Sequence, residues 1–216
     1  VVVGDVHGDA EALSKCLRIA DLIDEDGRWC GGETHFVQLG DFLDRGDDEK
    51  RVWDMMMRLQ MEARRAGGRV DVVLGNHELM NVELDFRYVT DNGWDDWGDL
   101  EDDEEFAFIQ KQMEALCYPS FMADRICAFK PGGDMTSRLA DMPVVLQVGD
   151  TVLVHGGIRN VHVEFGLEEL NRVTRRWMLD ETVSKPVVLS NGESPVWTRV
   201  YSTPCPHEGS LAELSV

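Results

Sequence analysis

The chain has 216 residues, of which 41 are acidic and 21 are basic, so its formal net charge at pH 7 is -20. This length suffices for one sizeable core, and 43% hydrophobic residues are typical of a globular protein rather than of a disordered chain. A surface this acidic repels nucleic acid and anionic membranes, and no apolar run approaches the roughly 20 residues that span a bilayer. We therefore expect one globular domain over residues 1–216 that binds neither nucleic acid nor membrane.

The first half of the chain alternates between strand patterns and helix patterns. Three apolar runs, "VVVGD", "HFVQLGD" and "RVDVVLGNHE", predict buried strands, the first ending at Asp5 and the third running into a loop. Stretches with helical spacing separate these runs. The order predicts a β-α-β-α-β unit with parallel strands, and hence a fold of the α/β class.

Two helices are predicted between these strands. In "DAEALSKCLRIADLI" the apolar positions with helical spacing are Ala12, Cys16, Ile19 and Ile23. A second helix is predicted over residues 47–66, with acids in its first turn and two glycines, at 67 and 68, after its end. The face of this second helix that we expect to be buried comprises Val52, Met56, Leu59 and Ala63.

The second half has different patterns. The stretch "TDNGWDDWGDLEDDEE" predicts an exposed acidic insertion loop, about residues 91–105, which leads into a helix near residues 106–116. A solvated surface explains this charge, and binding of a basic partner is the weaker alternative. "PVVLQVGDTVLVHGG" predicts a β-hairpin, a helix follows over about residues 167–177, and "SPVWTRVYS" indicates a further strand.

Five cysteines are spread over the chain without any Cys-x-x-Cys pair. We interpret them as ordinary thiols, with one or two disulfide bridges as the alternative. They are Cys16, Cys30, Cys117, Cys127 and Cys205.

Residue types that bind metals follow the strand ends in four short motifs, "GDVHGD", "GDFLDRG", "GNHE" and "HGG". Because ligands of open parallel sheets bind beyond the carboxyl ends of the strands, these motifs can converge on one edge. Carboxylate, imidazole and amide side chains together suit a cation such as Mn, Fe or Zn, and Asp41 can bridge two such ions. The candidate ligands are Asp5, His7, Asp41, Asn76 and His155.

In this order and spacing, the four motifs resemble the metal-binding signatures of the phosphoprotein phosphatase family, within the calcineurin-like metallophosphoesterases. The stretches "NVELDFRYV", "AFKPGGDMTSRLADMPVVLQVGDTVLVHGGI", "GLEELNRVTRRW" and "SPVWTRVYS" are similar to the Shewanella-like branch of that family. The resemblance covers nearly the whole chain. It implies a calcineurin-like β-sandwich flanked by helices and built on the β-α-β-α-β unit.

The resemblance also implies a centre with two divalent or trivalent metal ions. It assigns Asp5, His7 and Asp41 to the first metal, and Asp41, Asn76 and His155 to the second. The mechanism of the family implies direct attack on phosphorus by a water or hydroxide between the two metals. Manganese is the ion that we expect in vitro.

Four residues receive catalytic roles from the resemblance. Arg45 and Arg199 would hold the phosphate oxygens, because a guanidinium is always charged and binds such oxygens bidentately. Arg199 fits the branch pattern less closely, and a surface arginine on a strand is the alternative. His77 would protonate the leaving group, while Asp44 would orient its ring and favour the protonated form.

One feature of the family does not occur in this sequence. The family places a late histidine, usually in a Gly-His-Thr stretch, as the remaining ligand of the second metal, and His207 lies too early to replace it. Since the chain also begins at Val1 inside an apolar run, we expect it to be part of a longer protein whose targeting sequence, and hence compartment, is not visible. The alternative is a weakened protein that binds the second metal poorly.

Three functions are consistent with these observations. The leading hypothesis is a metal-dependent phosphatase acting on phosphoproteins or phosphopeptides, with phosphoserine, phosphothreonine and phosphotyrosine all open as substrates. The second is a hydrolase of small phosphoesters or dinucleoside polyphosphates, because bacterial enzymes of that kind share the four motifs. The third is a catalytically silent module that binds phosphopeptides.

Overall fold

The computed structural model describes residues 1–97 and 119–202, together with residues 108, 110, 111 and 113. The acidic insertion beyond Trp97 lies outside the described residues, as do Cys117, Cys205 and His207. Of the helix predicted near residues 106–116, the four described positions are helical.

Three short parallel strands form the first sheet in the order β1-β2-β3, namely β1 Val2–Val3, β2 His35–Gln38 and β3 Arg69–Val72. The register places Val3 beside Gln38 and Gln38 beside Val72. Phe36 in the central strand is fully buried, as expected for a parallel sheet that is covered on both faces. The predicted β-α-β-α-β unit is confirmed.

The two crossover helices have the predicted order. Helix α1, Ala10–Ile19, connects β1 to β2, and helix α2, Glu49–Arg65, connects β2 to β3. Asp9 caps α1, because its carboxylate accepts the N–H of Ala12 at 2.8 Å. The buried face predicted for α2 is confirmed, and Gly67 follows that helix with a left-handed φ of 85°.

The apolar positions with helical spacing do not form the buried face of α1, and of them only Ile23, beyond the end of the helix, is buried. Ile19 is 84% exposed and Cys16 is exposed, whereas Ala10, Leu13 and Leu17 are buried. Both sets have helical spacing, so periodicity alone does not choose between them. The set that contains two leucines removes more apolar area from water, and this is the set that packs against the core.

The segment after β3 continues into a helix rather than into the predicted loop. Helix α3, Asn76–Val82, begins inside the "GNHE" motif, and Gly75 precedes it in an extended conformation. Every residue of α3 is buried. The side chains of Asn76 and His77 are therefore fixed by the first turn of a buried helix.

The second half adds a hairpin and further helices. Its antiparallel hairpin and its last helix were both predicted and are confirmed. The Leu74 N–H donates to the Pro143 carbonyl at 2.9 Å, which ties the end of β3 to the chain that enters the hairpin. The elements are α4 Ala123–Phe129, α5 Asp134–Leu139, β4 Val145–Val148, β5 Thr151–Val154, α6 Asn160–Phe165 and α7 Leu167–Met178.

The prediction of a strand in "SPVWTRVYS" is wrong. These residues, 194–202, form turns and irregular backbone instead of a strand. The N–H groups of Trp197 and Thr198 both donate back to the Ser194 carbonyl, at 3.0 and 2.9 Å. Local hydrogen bonding of this kind replaces the ladder that a strand would need.

The start of the acidic insertion is also more ordered than predicted. Residues Asn92–Trp97 form a 3₁₀ helix, and Trp97 is buried rather than exposed. Its indole N–H donates to the Glu49 carboxylate at 3.0 Å. Burial of one large aromatic ring thus anchors this end of the insertion despite the surrounding charge.

One apolar core links the elements of both halves. Phe36 of β2, Leu59 of α2, Phe129 of α4 and Leu170 of α7 all belong to it and are fully buried. Among the described elements, we find no helix with the length and apolar character needed to cross a membrane. Cys16 and Cys30 are free thiols, in line with the interpretation above.

Candidate metal centre

The loops after β1 and β2 are joined by backbone hydrogen bonds. The N–H groups of Val6 and His7 both donate to the Asp41 carbonyl, at 3.0 and 2.9 Å. The loops touch so closely that a Cβ on Gly46 would lie 2.1 Å from the carbonyl oxygen of His7. The first two motifs are therefore one structural unit.

Several residues of this unit that are not glycine have a left-handed backbone. Such a conformation costs roughly 1–2 kcal/mol per residue, and strain of this kind concentrates at functional sites. Neighbouring acceptors hold it here, because the Asp44 N–H donates to Glu49 at 2.5 Å and the Arg45 N–H to the Tyr88 carbonyl at 2.9 Å. The residues are His7, Asp41, Asp44 and Arg45, with φ values of 48°, 54°, 66° and 67°.

Ligand-type atoms meet around Asp41, whose side chain is almost fully buried. One group that could hold a metal ion contains His7, Asp41 and His77, and a second contains Asp5, Asp41 and His155. Within each group the ligand atoms lie no more than 4.8 Å apart. The Asp41 Oδ2 atom is 3.8 Å from His7 Nε2 and 3.3 Å from His155 Nε2. Asp41 is therefore the carboxylate that the two groups share.

Asp5 and Asn76 complete the predicted ligand set. The Asp5 carboxylate lies 3.9 Å from His7 Nε2 and 3.8 Å from His155 Nδ1, so it reaches towards both groups. The Asn76 Oδ1 atom is 2.9 Å from His155 Nε2. The fold therefore brings all five predicted metal ligands together.

Backbone carbonyls fix the orientation of two imidazoles. His7 Nδ1 lies 2.9 Å from the Leu43 oxygen, and His155 Nδ1 lies 2.8 Å from the Leu39 oxygen. Because Nδ1 must carry a hydrogen to bond a carbonyl, the neutral rings present a lone pair at Nε2. The lone pair of His155 meets Asn76 Oδ1, which is also an acceptor, so a cation or a proton is needed between the two atoms. This donor set fits a metal ion.

His77 and Asp44 form the predicted pair. His77 is 1% exposed, and its Nδ1 lies 2.6 Å from Asp44 Oδ2. Burial lowers the pKa of His77, but the hydrogen bond to Asp44 and the negative charges of Asp41, Asp44 and Glu78 outweigh it, so the pKa is raised. The other nitrogen, Nε2, lies on the Asp41 side of the ring, 3.9 Å from Oδ2. A proton on Nε2 would therefore point at the candidate metal centre.

Arg45 is an exposed residue beside the His77 ring. Its Nη2 atom is 3.3 Å from His77 Nε2, and its guanidinium lies over the Tyr88 ring, 5.1 Å from the ring centre. The Tyr88 ring in turn lies 5.0 Å from the His77 ring. No carboxylate among the described residues pairs with Arg45, so its charge is available to an anion at this position.

Arg199 is not joined to the cluster by any contact between described residues. Its side chain is exposed and donates to two carbonyls of its own turn, at 3.4 and 3.1 Å. That turn does touch the "HGG" loop, because the N–H groups of Gly156 and Gly157 donate to the Pro195 carbonyl at 2.9 Å. The backbone of Arg199 is thus held close to the loop of His155, while its guanidinium is occupied elsewhere.

Glu78, the last residue of "GNHE", has a role that its sequence position does not reveal. The carboxylate is fully buried and accepts the N–H groups of Gly75, Asp41, Phe42 and Leu43 at 2.7 to 3.2 Å. Burial and the Asp41 charge raise the pKa of Glu78, although these donors act in the opposite direction and favour the carboxylate. Glu78 therefore shapes the loop that carries Asp41.

Arg125 is a second residue that the motifs do not reveal. It lies in α4 and reaches Asp44 from 81 positions further along the chain. An arginine outside any motif is normally a surface residue, so the sequence alone does not predict that Arg125 lies beside the site.

Comparison with known families agrees with this geometry. Residues 1–210 match the model of the calcineurin-like phosphoesterases, named Metallophos. The chain therefore belongs to this family of metal-binding phosphoesterases, and the predicted fold class is confirmed.

Individual relatives narrow the resemblance to one branch. The chain is 38% identical to Shewanella-like protein phosphatase 2 of Arabidopsis thaliana, over 99% of this chain and 61% of that protein. It is 29% identical to Shewanella-like protein phosphatase 1 of Plasmodium berghei, over 81% of this chain and 43% of that protein. It also resembles the crystal structure of a cold-active protein-tyrosine phosphatase of a psychrophilic Shewanella sp., with a TM-score of 0.74 and 26% identity over 99% of this chain and 60% of that one. The chain thus spans less than two thirds of each, and the resemblance to the Shewanella-like branch is confirmed.

Proposed function

We propose that this chain carries the catalytic site of a metal-dependent phosphoprotein phosphatase, which hydrolyses phosphomonoesters of serine, threonine or tyrosine. The observation that carries the proposal is Asp41, a buried carboxylate whose Oδ2 atom lies 3.8 Å from His7 Nε2 and 3.3 Å from His155 Nε2. The names of the related proteins, which are protein phosphatases, support phosphoproteins as the substrate class.

Two metal ions would be held at this centre. Asp5, His7 and Asp41 would bind the first, and Asp41, Asn76 and His155 the second. Their mixture of oxygen and nitrogen donors suits manganese, iron or zinc, with manganese the ion that we expect in vitro. When bound, such ions lower the pKa of water and offset the negative charge of phosphate oxygens.

Arg45 would hold the phosphate group. Its guanidinium pairs with no carboxylate among the described residues, and it lies next to His77 and over the Tyr88 ring. A guanidinium can bind two phosphate oxygens at once and fixes their orientation. Arg199 would assist only after its side chain leaves the carbonyls of its own turn.

His77 would protonate the leaving group. The hydrogen bond to Asp44 and the neighbouring negative charges raise its pKa against the effect of burial, and a protonated ring can donate a proton but cannot bind a metal. Asp44 holds the Nδ1 side of the ring at 2.6 Å, so the proton donor would be Nε2, whose neighbour at 3.3 Å is the Arg45 guanidinium. Once the ring is protonated both groups are donors, and a phosphate between them would accept from both.

Two other functions predict different behaviour. A hydrolase of dinucleoside polyphosphates would use the same motifs, but the names of the relatives do not favour it. A phosphopeptide-binding module would bind substrate without turnover. A basic partner for the acidic insertion remains a separate proposal, because most of that insertion lies outside the described residues.

The test combines metal content with substrate choice. We expect about two metal ions per chain after dialysis and faster turnover of phosphopeptides than of dinucleoside tetraphosphate. Asp41→Asn should lose both the metals and the activity, whereas Asp26→Asn, at a carboxylate that is 74% exposed, should keep both. Faster cleavage of the nucleotide, or phosphopeptide binding without any turnover by the metal-loaded protein, would contradict the proposal.

A further inference from the structure

Arg125 is a fully buried arginine whose guanidinium is saturated with hydrogen bonds. It donates to both oxygens of Glu49, at 2.7 and 3.0 Å, and to Asn81 Oδ1 at 2.9 Å. Further bonds reach the Gly93 carbonyl at 2.8 Å and Asp44 Oδ1 at 3.2 Å. The aromatic rings of Phe86 and Phe129 also lie against the guanidinium, with centres 5.7 and 5.0 Å from its carbon.

Asp44 connects this guanidinium to the proposed proton donor. One oxygen, Oδ1, accepts hydrogen bonds from Arg125 and from the Asn81 amide, at 3.2 and 3.0 Å. The other, Oδ2, lies 2.6 Å from His77 Nδ1. The Asn81 amide also donates to the His77 carbonyl at 2.9 Å, so the carboxylate has a single orientation relative to the ring.

We propose that Arg125 is a positioning residue for His77, acting through Asp44. By holding Oδ1, it fixes the rotation of the carboxylate so that Oδ2 stays on the His77 ring and Nε2 faces the phosphate site. This proposal rests on the proposed function for its kinetic consequence, but the geometry it describes is a property of the folded chain alone.

Filling of space does not explain these contacts. An apolar side chain of similar volume would leave the buried carboxylates of Glu49 and Asp44 without a counter-charge. What arginine supplies is a planar fork that bonds several fixed acceptors at once. Here the fork joins Asp44 to Glu49, two buried carboxylates that would otherwise repel each other, and neither of them is a proposed metal ligand.

The kinetic test uses the leaving group of the substrate. Loss of a proton donor slows the release of a poor leaving group, such as phenol, far more than that of 4-nitrophenol. We expect Arg125→Lys to raise the ratio of kcat for 4-nitrophenyl phosphate to kcat for phenyl phosphate by about tenfold, with KM nearly unchanged. His77→Ala should raise the same ratio further. Lysine keeps the charge but not the fork, so charge alone should not rescue the ratio.

Leu139→Ala is the matched control, because it weakens the fully buried core of the neighbouring helix without touching Asp44. It should lower stability and leave the ratio of the two kcat values as in the wild type. An unchanged ratio in Arg125→Lys, or an equal rise in Leu139→Ala, would overturn the positioning role.

A spectroscopic measurement separates this proposal from the proposed function. The measurement is an NMR spectrum of the zinc-loaded protein with ¹⁵N-labelled histidine, in which Zn²⁺ does not broaden signals because it is not paramagnetic. The His77 Nδ1 proton, which lies in the short hydrogen bond to Asp44, should give a low-field signal that is protected from exchange with solvent. Arg125→Lys should lose this signal and Leu139→Ala should keep it. If the wild type hydrolyses neither phosphate ester, the proposed function fails, and retention of the signal in Arg125→Lys would then refute the positioning role independently.

Discussion

The substitution Gly75→Ala is expected to displace the ligands of the proposed metal centre. Gly75 has φ −97° and ψ −176°, an extended conformation that alanine adopts freely, so backbone strain plays no part. The obstacle is steric, because a Cβ there would lie 2.2 Å from Asp41 Oδ1, 2.5 Å from the Asp41 backbone nitrogen and 2.9 Å from Glu78 Oε2. Ordinary contacts of a Cβ begin near 3.4 Å, so the backbone and the carboxylate of Asp41 would both have to move by about 1 Å.

This displacement would act on both proposed metals, because they share Asp41. A misplacement of about 1 Å in a catalytic site can cost roughly 100-fold in rate. Overpacking of a buried site costs about 1–3 kcal/mol, which in a chain of this length lowers Tm by roughly 2–12 °C. We therefore expect Gly75→Ala to fold with a reduced Tm and to retain about one metal ion or fewer per chain.

Gly4→Ala is the matched control. Like Gly75, Gly4 directly precedes a proposed metal ligand within one of the four motifs, but a Cβ at Gly4 would meet no atom within 4 Å. Metal content after dialysis, thermal unfolding and phosphatase turnover should therefore stay close to the wild type in this variant. Full metal content in Gly75→Ala, or an equal loss in both variants, would refute the steric reasoning.

The remaining predictions concern charge and packing. Because the pKa of His77 is raised in the folded protein, protonation of His77 stabilises the fold fully below the ordinary pKa of 6.5, and this stabilisation is lost as pH rises through the raised pKa. In Asp44→Asn the stabilisation should be lost at lower pH, as measured by unfolding experiments over a range of pH. An unchanged dependence of stability on pH would contradict the pairing of His77 with Asp44. Arg45→Lys should raise KM for a phosphopeptide by about tenfold, since lysine cannot replace a bidentate donor, and wild-type kinetics would remove Arg45 from phosphate binding. Leu17→Ala should cost about 2–5 kcal/mol in urea unfolding. Ile19→Ala should change the free energy of unfolding by no more than about 0.5 kcal/mol, and similar losses in the two variants would contradict the observed orientation of α1.

The candidate site could be predicted because its residues lie at strand ends. Asp5 and Asp41 lie in the loops that follow β1 and β2, and the carboxyl ends of parallel strands meet at one edge of the sheet. Asn76 follows β3 of the same sheet, so the same rule covers it. His155 follows β5 of the separate antiparallel hairpin, so its place in the cluster depends on how that hairpin docks. Topology and residue type therefore account for Asp5, Asp41 and Asn76, but not for His155.

The misread face of α1 depended on packing instead. Two apolar series of similar spacing run through the helix, and the position of the β-sheet decides which of them is buried. Arg125 is a stronger example of a position that depends on packing, because its partners Glu49 and Asp44 lie 76 and 81 residues away in the sequence. Such contacts depend on how α4 docks against α2, which no local pattern encodes.

The loop that carries Asp41 is shaped by carboxylates that are not proposed metal ligands. Four consecutive backbone N–H groups, of residues 41 to 44, all donate to buried acids, the first three to Glu78 and the fourth to Glu49. Left-handed conformations at Asp41 and Asp44 accompany this arrangement, and a row of such N–H groups is a known way to hold an anion. Because these bonds lie entirely within the protein, they contribute to the shape of the strained loop. Folding would therefore help to place the carboxylate of Asp41, the ligand proposed for both metals, and this would lower the ordering cost of metal binding.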